Sequence, residues 1–91
     1  MHMKKDIKKR VIRRLKILEG QVRGLQKMVA KEEYCIDILR QSSATKNALS
    51  SVENLILKNH LEVHAVEQAK HGKAKQAVEE ILAIYKLSKQ R

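Results

Sequence analysis

The chain contains no proline, and its glycines stand only at Gly20, Gly24 and Gly72. A sequence with so few breakers is committed to long helices, because proline and glycine are the residues that most often end them. Ile7, Val11, Leu15, Leu18, Val22, Leu25 and Met28 step by three or four residues, the spacing of one helix face, and predict a first helix from about Lys4 to Lys31. Gly20 and Gly24 fall inside it, either as tolerated interior glycines or as places where a second helix approaches closely. Lys31, Glu32 and Glu33 read as a short connection. From Tyr34 onward Cys35, Ile38, Ser42, Thr45, Leu49, Val52, Ile56, Asn59 and Val63 alternate steps of three and four, a heptad seam. A turn at Lys70 to Lys73 and a third helix from about Ala74 to Lys89 follow, with Ala77, Val78, Ile81, Leu82 and Tyr85 expected to face inward.

With 91 residues, two tyrosines and no Phe or Trp, the chain is expected to be a single domain over residues 1–91 with an aliphatic core. A chain this short buries a limited core, so oligomerisation or a metal is a common supplement. A single cysteine excludes an internal disulfide, and with no signal-peptide pattern it points to a reducing cytoplasm. No apolar run approaches the length of a membrane span.

The net charge of +10 is uneven: residues 1–31 hold eleven Lys or Arg against Asp6 and Glu19, while residues 32–91 hold nine against eight acids. A basic segment on an otherwise balanced chain is the electrostatic footprint of a polyanion, and nucleic acid fits better than a membrane surface because the segment has no aromatic anchor. A merely solvated helix face is the alternative.

His60 and His64 are four apart on a helix, so both rings project from one face and could share one ion. Each alone has a plainer reading: two solvated histidines, and in Cys35 a small buried hydrophobe. Their spacing says more. Twenty-five residues separate Cys35 from His60, which returns to nearly the same azimuth but lies roughly 37 Å along a continuous helix. One helix cannot bring all three to one ion. A second copy running antiparallel can, placing Cys35 of one subunit beside His60 and His64 of the other, twice over by symmetry. Thiolate with imidazole suits Cu(I), Zn(II), Ni(II) or Co(II). His71 reads as solvated, and His2 is either a further ligand on a folded-back arm or a cloning remnant.

Arg14-Leu15-Lys16, Glu19-Gly20-Gln21-Val22-Arg23-Gly24, Met28, Tyr34-Cys35, Asp37, Gln41, Ala44, Asn59-His60-Leu61-Glu62, His64 and Glu79-Glu80 together resemble the CsoR/RcnR family of bacterial metal-sensing repressors, over nearly the whole chain. The resemblance implies an all-α, three-helix protomer, an antiparallel four-helix-bundle dimer and a dimer of dimers, with no helix-turn-helix reader. It implies DNA held by a basic surface, which suits Arg10, Arg13, Arg14, Lys16 and Arg23; the mechanism expected here is that the apo oligomer holds operator DNA and metal binding releases it. It implies Cys35 from one subunit with His60 and His64 from its neighbour, and Tyr34 and Glu80 hydrogen-bonded around the His60 position. Copper sensors of the family usually carry cysteine where His64 stands, and the nickel/cobalt branch carries histidine there. The flanking motifs are closer to the copper branch, so Cu(I) is the expected inducer, with Ni(II) or Co(II) the alternative. A metal-indifferent architectural DNA-binding protein and a metal-delivery protein are the rivals. Catalysis is not expected, since paired carboxylates, an activated serine and a phosphate-cradling glycine loop are missing, and no small-molecule substrate is implied.

Overall fold

The computed structural model describes residues 3–89, in which α1 spans Lys5–Ala30, α2 Cys35–Asn59, a π-helical segment His60–Ala65, α3 Val66–Lys70 and α4 Ala74–Ser88. No described residue is in a strand. Helical conformation is held from Cys35 to Lys70, so the predicted second helix exists at its expected length, with one feature the spacing did not signal: its backbone widens to π geometry over the residues that carry both histidines. Such widened turns recur at functional sites.

The chain divides into two compact units between Leu57 and Lys58. The first is a helical hairpin. Ile7, Val11 and Leu18 of α1 are buried with Val52 and Leu55 of α2, and Met3, Ala48 and Ile56 pack against them. Arg14 Nη1 donates to Ser51 Oγ at 2.8 Å, and these two residues lie equally far from the connection, seventeen before Lys31 and seventeen after Tyr34. That symmetry is the register of an antiparallel pair. The stripe expected on α1 is only partly covered: Leu15 and Val22 are exposed, as are Leu49 and Cys35 of the expected α2 seam. The physical reason is that a two-helix layer shields one side of each helix, and the apolar faces are wider than that. A Cβ at Gly20 or Gly24 meets nothing within 4 Å, so neither glycine serves a close helix approach within the chain.

Both helix ends that lead into turns close in the same way. After α1, Glu32 N–H donates to Val29 O and Glu33 N–H to Met28 O, each at 3.0 Å, with Glu32 at φ 52°. After α3, Lys73 N–H donates to Gln68 O at 2.6 Å, with Gly72 at φ 74°. This is the Schellman closure, whose left-handed residue satisfies otherwise orphaned carbonyls. Glycine occupies that position at no steric cost, whereas the Cβ of Glu32 is strained there.

In the second unit the π segment runs straight into α3, and α3 meets α4. Ala65, Ala77 and Asn59 are buried. Of the residues expected to face inward from the third helix, Ala77 alone does so. Val78, Ile81, Leu82 and Tyr85 are exposed, because the short α3 and the π segment cover too little of a 15-residue helix.

Leu55→Ala should cost about 2–5 kcal/mol, the range for emptying a buried leucine site, measured by chemical denaturation at fixed protein concentration. In the same assay Glu32→Gly should stabilise by about 1 kcal/mol and Gly72→Ala should destabilise by about as much. Equal signs for the two would refute the assignment of the turns.

Candidate metal centre

The π segment presents His60 and His64 as a pair. Their ring centroids are 5.5 Å apart and the planes are inclined by 24°. His60 is well covered, with 17% of its side chain exposed, and its Nε2 lies 3.2 Å from Glu80 Oε2 of α4. An ionised carboxylate only accepts, so the proton lies on Nε2, and Nδ1 is the nitrogen turned away from Glu80. His64 Nδ1 is buried without a hydrogen-bond partner among the described residues.

Glu80 is fixed from several directions. Gln76 Nε2 donates to its Oε1 at 3.1 Å, and Gln68 hydrogen-bonds to it as well. The Gln76 hydrogen bond is the largest cause holding this carboxyl below the usual glutamate range. Loss of solvent pushes the other way, and Gln68 and His60 add to the lowering. The result is an anion oriented on a histidine, an arrangement that sets the imidazole's tautomer and direction. His71, read as solvated, is exposed and pairs with Glu67 at 3.1 Å.

Cys35 opens α2 in the first unit, and its thiol is exposed. Tyr34 precedes it with its side chain open to solvent. Among the described residues no group of three or more His, Cys, Asp or Glu side chains converges to hold a metal. The candidate donors therefore fall in two places, a covered imidazole pair in one unit and an exposed thiol in the other. Two imidazoles and a thiolate are the donor chemistry of borderline and soft ions, and unsuited to Mg or Ca. His2 lies outside the described residues.

The basic residues named from the sequence separate into classes. Arg10, Arg13 and Lys16 are exposed. Arg13 and Lys16 line a shallow depression on α1 with Lys9, Ile12 and Ile17. At about 100° per residue this strip lies opposite Ile7, Val11 and Leu18. Arg14 is half-buried and donates to Ser51, while Arg23 is held by Glu19 at 3.0 Å. Lys9, Gln68 and Gln76 are the additions that the structure makes. The two glutamines had a signal in the sequence, since Gln68 is four residues after His64 and Gln76 four before Glu80.

Known proteins resemble this chain over most of its length. It is 39% identical over 85 residues to the copper-sensing transcriptional repressor CsoR of Bacillus subtilis (strain 168), covering 93% of this chain and 84% of that protein. It is 47% identical over 57 residues to the copper-sensing transcriptional repressor RicR of Mycobacterium tuberculosis (strain ATCC 25618 / H37Rv), covering 63% of this chain and 58% of the other. The crystal structure of the copper-sensing repressor CsoR with Cu(I) from Geobacillus thermodenitrificans NG80-2 superposes with a TM-score of 0.87 at 37% identity, over 96% of this chain and 91% of that one. Residues 7–86 match the family described as metal-sensitive transcriptional repressor, and on these grounds the chain belongs to that family.

Proposed function

We propose that this protein is a Cu(I)-responsive repressor that holds operator DNA when metal-free and releases it on binding the ion, so that genes for metal efflux are expressed. The observation that carries this reading is the covered His60–His64 pair with His60 set by Glu80, in a chain similar to copper-sensing repressors. The ligands are His60 and His64 of one subunit and Cys35 of another. Bound there, the ion supplies a tie between subunits that neither part-site makes alone.

The second copy is argued from the faces left open. Leu15, Val22, Leu39 and Leu49 are exposed on the hairpin, and a second hairpin packed antiparallel makes a four-helix bundle that covers them. The apolar face of α4, with Val78, Ile81, Leu82 and Tyr85, supports association of dimers. Tyr34, next to Cys35, is proposed to approach His60 across the same interface. Glu80 rides on α4, so a change in the position of His60 is passed to α4 by a charged hydrogen bond.

Arg10, Arg13 and Lys16 are proposed to contact phosphates directly. Arg14 joins them with the guanidinium donors that Ser51 leaves free, and Arg23 after exchange of Glu19. Contacts of this kind position the protein and are strongly salt-dependent. A repressor works where the chromosome is, so the proposed location is the cytoplasm; no helix among the described residues is long and apolar enough to cross a membrane. No residue is assigned a catalytic role. A Ni(II)- or Co(II)-responsive repressor is the second reading, favoured by the two imidazoles set against one thiol.

Anaerobic Cu(I) titration with a competing chelator should show about one tight ion per subunit, thiolate charge-transfer absorption and loss of operator DNA in the same sample. Cys35→Ala should keep DNA binding and lose the response; release by Ni(II) and not Cu(I) would move the assignment to the second reading. Arg13→Ala should weaken DNA binding and lower the slope of log K against log salt by about 1 for each phosphate it no longer neutralises. An unchanged slope removes Arg13 from the interface.

A further inference from the structure

Two buried polar atoms in the second unit have no partner among the described residues, and they belong to residues four apart on one helical run: His64 Nδ1 and Gln68 Oε1. Side chains at that spacing share a face. They are also complementary. An imidazole nitrogen that bears a proton is a donor, and an amide oxygen is an acceptor only. The other end of the same amide is committed, since Gln68 hydrogen-bonds to the Glu80 carboxylate, which as an anion can only accept. The amide nitrogen therefore faces Glu80, and the amide oxygen is the end left over.

Whether His64 Nδ1 carries a proton depends on what its other nitrogen does. In the metal-free ring either nitrogen can hold the proton. Once Nε2 donates its lone pair to an ion, the neutral ring has its proton on Nδ1, and a buried N–H then needs an acceptor. We propose that Gln68 Oε1 is that acceptor, so that Gln68 is the positioning residue for His64 and completes one chain of hydrogen bonds from His64 through Gln68 and Glu80 to His60. The two histidines then present opposite nitrogens: His60 its Nδ1, because Nε2 faces Glu80 at 3.2 Å, and His64 its Nε2. A cysteine at position 64 has no second nitrogen to satisfy and makes no such demand on residue 68. Gln68 is thus the counterpart, within this chain, of having histidine there.

The inference rests on the proposal that His60 and His64 bind the ion. Its test is a double-substitution cycle of Gln68→Met and His64→Cys on the full-length protein, read by chelator competition for Cu(I) and by 15N spectra of the histidine rings. Gln68→Met should weaken Cu(I) binding about tenfold in the His64 protein, the lower end of what losing such a supporting partner costs. It should weaken binding markedly less in the His64→Cys background. Equal losses in both would mean that Gln68 acts through Glu80 alone and would overturn the proposal. In the loaded His64 protein the ring should show a protonated Nδ1 whose proton is protected from exchange, and Gln68→Met should abolish that protection. A loaded ring that keeps its proton on Nε2 would also overturn it. The same spectra recorded with Zn(II), a diamagnetic ion suited to the same donors, read the pairing separately, so failure of Cu(I) to bind sinks the copper reading and leaves this one decided on its own result.

Discussion

A pair of helices can shield each other on one side only, and much of this protein follows from that limit. The hairpin core of Ile7, Val11, Leu18, Val52 and Leu55 is a single seam. At about 25 cal/mol per Å² of apolar surface removed from water, a seam of that size is a modest source of stability for two helices of 26 and 25 residues. The apolar residues that the seam leaves outside are as much a part of the design as those inside. Their wider stripe makes sense for helices that expect a second layer, which is why the proposed assembly and the proposed metal site are one question. The thiol and the imidazoles stand in different units of the chain, and in the proposed assembly a layer supplied by another copy would give them a common surface.

The same economy governs the charged residues. Glu80 serves as acceptor for His60, Gln76 and Gln68, so a single carboxylate joins the π segment, α3 and α4. On α1 the cations opposite the seam have no competing structural duty, while Arg14 and Arg23 are partly occupied by Ser51 and Glu19. An exposed ion pair such as Arg23–Glu19 is worth little in water, so it yields readily to a phosphate.

Helix positions were legible in the sequence because nothing competes with the three-and-four spacing in a chain without proline. The predicted first helix and the turn around Gly72 fall within a residue or two of the observed ones. Burial was less legible. Periodicity reports which face is apolar, and says nothing of how much of it one chain can cover, so Leu15, Leu49, Ile81 and Leu82 were expected inside and lie outside. The pairing of His60 with His64 could be read from a spacing of four, and Glu80 came only with the family resemblance, since it meets His60 through tertiary packing across 20 residues of sequence. Gln68 and Gln76 went unread because an amide four residues from a site residue is commonplace on any polar helix.

The widened turn at His60–Ala65 also acts as a phase slip. Counting the seam forward in threes and fours from Asn59 and Val63 arrives at Val66 and Lys70, both of which face solvent. The covered positions are instead Ala65, the last residue of the π segment, and Gln68, in the turn that follows. His60, His64 and Gln68 stand at successive spacings of four, so the covered amide lies on the face of the histidine pair, where the seam's own count of threes and fours does not lead.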